Sequence, residues 1–569
     1  MRRRRNSSLP VLVAVIVLIS CALMACSDGT GEKETVSGEK NSTTSDYEKA
    51  EDFAGDPKTT PYGRYPETVT YTLAKMTAEN NSNLPEGDTY EDNAYTRLIL
   101  EVINAQNKDV FENSGDAYTA GISTMVATGK LSDVMVVDQK TMYDMQERGM
   151  LADLTEAYEN CASSRIKEIY KSYGEDIFQS CTFDGKLMAL PETNISDGPN
   201  LVWVRKDWLD QLGLQEPETI ADVEEIAAAF AKENPGNAAG GNIGLACSTE
   251  LFGGTGVASE YGMDLVFASY DAYPGRWLLS EDGTISYGSV SPKVRDALSH
   301  LAEMYQEGIL DPDFLIRTSD DIADLVVNGS CGIFFGPWWA PNNPLWKCHE
   351  VDWQPYLIAT GEDGSVSYCH QKMTGNYVVV RKDYEHPEVV MKILSVMFDY
   401  MRYTYDDPNG EFERYYRENV DPTARPLAIN VDYNQALEIC YENLSGALSG
   451  EKPWEELELL ERSYYRVCKK YLEDPQDATA ESWSGYQSRI TACALLQNAN
   501  LSQISVFYPM TTGAMEEYWY DLEELETETF LKIIRGEEDI TAFDDFVEKW
   551  YDGGGREILR EVQEQREKQ

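Results

Sequence analysis

From Thr68 onward the chain alternates between two kinds of hydrophobic patterning. Val69-Thr70-Tyr71-Thr72-Leu73 switches between apolar and polar positions as a half-buried strand does. The stretch Tyr95 to Ala105 follows with apolar residues at helical spacing, Leu98, Val102 and Ala105. Val134-Met135-Val136-Val137 and Leu201-Val202-Trp203-Val204 are unbroken apolar runs, the pattern of buried strands. Thr219 predicts a helix start, with Asp222 three residues on and Ile220, Val223, Ala227 and Phe230 on one face. Ser291-Pro292 opens a further helix whose buried stripe is Val294, Leu298, Leu301 and Tyr305, and Gly308 ends it. A short helix over 322–327 leads into the strand Cys331-Gly332-Ile333-Phe334-Phe335. Pro387 starts the helix carrying Val390, Ile393, Leu394 and Met397, and from Asp432 the chain reads as mostly helical. This alternation predicts α/β layers with largely parallel sheets, whose ligand crevices lie beyond the carboxyl ends of the strands.

The amino-terminal 66 residues carry a different pattern. Arg2-Arg3-Arg4-Arg5 precedes an apolar run from Val11 to Ile19, then Leu23-Met24-Ala25-Cys26. A basic head, a short apolar middle and small residues before a break form the pattern of a secretory signal. The run from Val11 to Ala25 would make about 22 Å of helix against a hydrocarbon core of roughly 30 Å, too short to span. Leu-Met-Ala-Cys resembles the lipobox of bacterial lipoproteins, with Met24 a looser match. That resemblance implies cleavage of residues 1–25, acylation of Cys26, and a lipid anchor on the outer face of the cell membrane. Residues 26–66 are rich in Ser, Thr, Gly, Glu, Lys and Asp. Such a stretch buries too little apolar surface to offset its ordering entropy, so it reads as a flexible tether reaching some 30–40 Å.

Composition narrows the partners. The formal charge is −50, and the first 25 residues hold four arginines and no acid, leaving a mature chain near −54. That balance argues against nucleic acid and disfavours strongly anionic glycans, although local pocket charge overrides net charge. Eleven cysteines occur, nine of them beyond Cys26, at wide spacings and without Cys-x-x-Cys. Neither a disulfide framework nor a zinc site fits. Eleven Trp and 35 Tyr offer flat apolar faces with polar edges, which suit sugar rings. The four histidines form no His-x-x-x-His, no phosphate-binding Gly-x-x-x-x-Gly-Lys is present, and no Gly-x-Ser-x-Gly elbow occurs. No motif demands catalysis or a cofactor.

One set of segments carries a specific resemblance. Leu190-Pro191-Glu192-Thr193-Asn194 is followed by Asn200-Leu201-Val202-Trp203-Val204-Arg205-Lys206-Asp207-Trp208-Leu209. Gly129-Lys130-Leu131-Ser132-Asp133-Val134 has Ser132 where the related pattern has Pro. Gly329 to Trp339 is a strand running into an aromatic loop, and Thr374-Gly375-Asn376-Tyr377-Val378-Val379-Val380 is a return strand. The tail combines Phe530 to Gly536, Phe543 to Trp550 and Gly553-Gly554. Together these resemble the family 1 extracellular solute-binding proteins of carbohydrate ABC importers. The resemblance implies a two-lobed periplasmic-binding-protein-like α/β fold of type II, hinged between lobes, with a helical carboxyl-terminal part. Lobe one would hold residues 67–193 and 374–505, and lobe two 194–373 and 506–569. It further implies a monomeric binding protein, not an enzyme, that delivers an oligosaccharide to the transmembrane subunits of an ABC permease. Many relatives hold calcium in an Asp-x-Asp-Gly-Asn-Gly-type loop. Here residues 234–242 contain no carboxylate, so no metal is expected there.

Candidate site residues follow from the proposed crossings and strand ends. Trp338 and Trp339 come after a buried strand and the Gly336-Pro337 turn, which puts them at a cleft-facing end, as a sugar platform or as interlobe core. Glu192, Asn194 and Asp197 lie at the first crossing, where they could bind hydroxyls or merely shape the turn before Gly198-Pro199. Asn376 and Tyr377 hold the matching place at the second crossing. Asp116 and Tyr118 are weaker candidates, and Trp203 reads as core. A peptide-binding lipoprotein or a cell-surface glycoside hydrolase with two cleft carboxylates remain the alternative functions.

Overall fold

The computed structural model describes residues 55–568, apart from 175, 196, 254–259 and 419. The signal segment, Cys26 and most of the tether therefore lie outside the described residues. A five-stranded sheet has the order Ala105–Asn113, Val69–Met76, Val134–Asp138, Asn376–Val380, Leu190–Pro191. Its first three strands are parallel, while Asn376–Val380 runs antiparallel to both of its neighbours. The helices Ala94–Ile103 and Gly115–Thr128 make the connections between these parallel strands. Asn93 caps the first of them with a reciprocal capping box, and Asn104 ends it in the left-handed conformation.

A second sheet has Leu201–Arg205 at its centre, flanked by Ile333–Gly336 and Trp353–Tyr356. Both pairings are antiparallel, which corrects the expectation of a largely parallel sheet here. The parallel continuation is reduced to single bridges, Ile243 with Cys331 and Leu245 with Leu310. Unbroken apolar runs signal burial on both faces but not strand direction, and that is why the pattern misled.

Two large cores result. One gathers residues from Tyr65 to Leu190 and from Tyr377 to Val431, together with Leu459. The other gathers residues from Val202 to Val366 and from Phe507 to Val562. The helices between Ala436 and Gln497 touch both sides. Leu459 joins the first core, whereas Leu437, Trp483, Ala492 and Cys493 pack with Trp203, Phe334, Trp338 and Trp353 in a third cluster. The nine described cysteines are all free thiols.

The loop after the helix Ile220–Glu233 is held by amides. Asn234 Oδ1 accepts from Ala238 N at 3.0 Å, Asn242 Oδ1 accepts from Gly236 N at 2.7 Å, and Asn242 Nδ2 donates to Gly329 O at 3.0 Å. Side-chain amides thus do the turn-closing that a cation would otherwise organise. Adding a calcium chelator is expected to leave the melting temperature unchanged; a drop reversed by calcium would overturn that expectation.

Candidate functional site

Three segments pass between the two cores, near 192–200, 366–376 and 498–508. Strands Val366–Cys369 and Leu501–Ile504 pair in parallel along two of them. Asp197 ties all three together. Its Oδ1 accepts from Gln371 N at 2.9 Å, and its Oδ2 lies 3.0 Å from Gln503 Nε2 and 3.1 Å from His370 Nδ1. A carboxylate with these partners is a fastener of the crossing, and it does not line the main cavity.

Next to the crossing lies a cavity of about 1110 Å³. Glu192, Asn194, Gln371, Lys372 and Asn376 form its crossing-segment wall. Glu192 accepts from Asn376 Nδ2 at 2.9 Å and from Asn430 N at 3.2 Å, and burial pushes its carboxyl above the usual range. Asn194 Nδ2 donates to Gln371 Oε1 at 3.1 Å and to Lys372 O at 3.2 Å. The first and second crossings are therefore joined by side-chain amides that line the cavity.

The opposite walls are built from unusual helices. Val396–Thr404 and Gln487–Ala492 both widen to π-helical geometry, and each delivers an arginine, Arg402 and Arg489, to the cavity. Such π-helical widenings are found frequently at functional sites. Arg402 is ion-paired with Asp432 and donates to Asn430 Oδ1 at 3.1 Å. Arg425 comes from the segment after Pro422, and Lys75 fixes that segment. The buried Lys75 ammonium donates to Met76 O at 2.7 Å, to Arg425 O at 2.8 Å and to Thr423 O. Lys452, Glu458, Glu461, Arg462 and Tyr464 complete the enclosure. Burial, with the neighbouring Glu461 charge, pushes the Glu458 carboxyl up to about 8, and burial raises the Glu461 carboxyl as well.

The expected residues divide accordingly. Glu192, Asn194 and Asn376 come together in one wall. Tyr377 does not join them: its strand is paired on both edges, the ring is fully buried, and its hydroxyl meets Ser180 Oγ at 2.8 Å. It is a core residue, which corrects the expectation. Trp338 and Trp339 are absent from the cavity lining. Trp338 is 8% exposed and lies under Arg489, whose guanidinium sits 4.5 Å from its ring. Trp338 thus supports a cavity wall from behind, and Trp339 packs on the same cluster. Tyr118 is core, with its hydroxyl donating to Val136 O at 2.6 Å, while Asp116 is exposed on its helix. Trp203 is core as expected, its indole donating to Pro337 O at 3.2 Å.

Arg402, Arg425, Asn430, Asp432 and Arg489 were not anticipated. One signal was available: Arg402 directly follows the largely apolar stretch Val389 to Met401, and a charged side chain on so apolar a helix is almost never buried without a partner.

The family profile described as "Bacterial extracellular solute-binding protein" matches residues 98–399, more than half of the chain. The chain belongs to this family. Among curated relatives of this solute-binding protein is the polygalacturonan/rhamnogalacturonan-binding protein YtcQ of Bacillus subtilis, 27% identical over 161 residues. That match covers 28% of this chain and 30% of the relative. Lipoprotein LipO of the same organism is 30% identical over 131 residues, 23% of this chain and 25% of the relative. The matched stretches span less than a third of either relative. Among solved structures, the S. pneumoniae ABC-transporter substrate-binding protein FusA in complex with kestose superposes with a TM-score of 0.59 at 12% identity. It covers 88% of this chain and 99% of that one, a likeness of fold. The family is one of binding proteins and not of enzymes, and the two-lobed α/β architecture agrees with the expectation drawn from sequence.

Proposed function

We propose that this solute-binding protein captures an oligosaccharide in the cavity beside its crossing segments and hands it to an ABC permease, while acylated Cys26 anchors it to the membrane. The observation that carries the reading is the cavity itself. At about 1110 Å³ it exceeds the roughly 300–1,000 Å³ typical of small-molecule pockets, so more than one ring fits. Its lining alternates amides, carboxyls and guanidinium groups with the rings of Tyr95, Tyr405, Tyr433 and Tyr464. Hydroxyl edges find donors and acceptors there, and C–H faces find rings. Its place beside three crossing segments suits closure of two lobes by hinge motion, with lobe boundaries near 193, 373 and 505.

A thermal-shift screen against neutral and acidic oligosaccharides and a panel of oligopeptides tests the ligand class, since a ligand bound only by the folded state raises its melting temperature. Sugars should shift it and peptides should not; the reverse pattern would replace this reading with a peptide importer. Glu192→Gln should weaken the sugar by about tenfold, the cost of one hydrogen bond to a charged or buried partner. No helix among the described residues is long and apolar enough to cross a membrane. The anchor is tested separately: Cys26→Ala should move the protein from the membrane fraction to the medium or leave it unprocessed. A mutant still processed and lipid-labelled would sink the assignment.

A further inference from the structure

Resting on that reading, we infer that residues 58–65, at the end of the segment leading from Cys26, are positioning residues for the cavity. Through Tyr62, Asp399 and Arg165 they hold the wall formed by Arg402 and Tyr403. By composition this stretch reads as the last part of a flexible tether. In the structure it is folded onto the helix Val389–Ser395 and its π-helical continuation Val396–Thr404, and the fixing is dense. The Lys392 ammonium belongs to a fully buried side chain and donates to Thr60 O and Gly63 O, both at 2.8 Å. Tyr65 OH donates to Glu388 Oε1 at 2.9 Å, and Cys161 Sγ donates to Lys58 O at 3.4 Å. A buried ammonium has given up its hydration, so it holds those two carbonyls, and the loop that carries them, in one place.

One contact of this segment reaches the cavity wall. Tyr62 OH donates to Asp399 Oδ2 at 2.8 Å, and Arg165 Nε donates to Asp399 Oδ1 at 3.0 Å. Asp399 is 7% exposed, so its carboxylate relies on these donors in place of water. The guanidinium carbon of the same arginine lies 3.7 Å from the ring centroid of Tyr403. Tyr403 lines the cavity, as does Arg402 beside it. Tyr62, Asp399, Arg165 and Tyr403 thus form an unbroken chain of contacts from the outer segment to the cavity. The geometry of the helix gives that chain its importance. Asp399, Arg402 and Tyr403 all belong to the nine π-helical residues Val396–Thr404. A π-helix is rare and appears mostly as a single turn, so a run of nine needs contacts from outside to hold it open. Were it to tighten into an α-helix, the side chains would be spaced differently round the axis, and Arg402 and Tyr403 would turn relative to the cavity. The hydrogen bond from Tyr62 fixes the first half of this run, and Arg165 fixes the second through the Tyr403 ring.

The test uses the full-length protein purified in detergent and five probes: maltotriose, xylotriose, mannotriose, galactotriose and trigalacturonate. Tyr62→Phe keeps the ring and removes the hydroxyl that meets Asp399. Tyr65→Phe, on the same segment, removes a hydroxyl that meets Glu388, ahead of the π-helical run. Each variant loses one hydrogen bond and should melt a few degrees below the parent. Their binding should differ: Tyr62→Phe should weaken the probe that binds the parent best by fivefold or more, and Tyr65→Phe should stay within twofold of the parent. Amide exchange across residues 396–404 should quicken in Tyr62→Phe and not in Tyr65→Phe. Arg165→Lys, which keeps a charge beside Asp399 and gives up the guanidinium face on Tyr403, should weaken the same probe; if it does not fold, the two tyrosine variants still decide. Unchanged affinity in Tyr62→Phe, or an equal loss in Tyr62→Phe and Tyr65→Phe, overturns the inference and leaves the oligosaccharide reading intact. If none of the probes binds the parent, that reading falls and the inference with it.

Discussion

Trp338→Ala is expected to destabilise the protein by about 3–5 kcal/mol, the range for truncating a large buried aromatic side chain. The ring fills the cluster of Trp203, Phe334 and Trp353 and is the surface on which the Arg489 guanidinium rests. Removing it opens a cavity and strips a desolvated cation of a contact worth up to about 2 kcal/mol. Trp338→Phe should be far milder, about 1–2 kcal/mol, because it keeps a ring beneath Arg489 and gives up an indole N–H that has no acceptor. Urea unfolding of the two variants and the parent reads this directly. In the fraction that remains folded, oligosaccharide affinity should fall only modestly, through a loosened Arg489. A stable Trp338→Ala protein with a large loss of affinity would show instead that the ring meets the ligand.

How far the sequence reaches is visible in these residues. Apolar periodicity located both sheets and the long helices, since alternation and helical spacing are local consequences of which face is buried. Glu192, Asn194 and Asn376 could be picked out because polar residues beside a strand's end or start mark a turn, and the three do line one cavity. Trp338 and Tyr377 show what local reading lacks. Both stand beside those same turns, yet whether a side chain at a strand end faces the cleft or the core depends on what packs against it. For Tyr377 that is a strand on each edge; for Trp338 it is a helix 150 residues further on. The four arginines of the cavity, Arg402, Arg425, Arg462 and Arg489, were hidden for a related reason. They are brought together from four stretches of helix and loop, two of them set by π-helical turns, and no spacing in the chain records that convergence.

Stability is expected to be greatest near pH 5 and to decline toward pH 8. Glu526 is 4% exposed and accepts from Tyr287 OH at 2.8 Å and Ser289 Oγ at 2.7 Å, and burial raises its carboxyl to about 7. Below the ordinary carboxylate range it is protonated in both the folded and unfolded chain and has no effect. Between that range and pH 7 the unfolded chain ionises while the folded one keeps its proton, so the folded state binds more protons and stability falls as pH rises. Above pH 7 both are ionised and the loss, about 3 kcal/mol at 1.36 kcal/mol per pKa unit, is complete. Glu260, which burial lifts to about 8, and the Glu458–Glu461 pair act in the same direction. So does His300, whose hydrogen bond to Glu224 raises it; that stabilisation is full below the unfolded pKa and is lost as pH climbs through the folded one. The opposing groups, Asp133 and Asp222 among them, are lowered by their hydrogen bonds and withdraw stability only as pH falls below about 4. Melting temperatures between pH 4 and 9 should therefore peak near 5. Glu526→Gln should be more stable than the parent at pH 8, by up to about 3 kcal/mol, and indistinguishable from it near pH 4. A profile that rises from pH 5 to 8, or a Glu526→Gln protein with the parent's pH dependence, would show that these carboxyls are ionised in the folded chain at little cost.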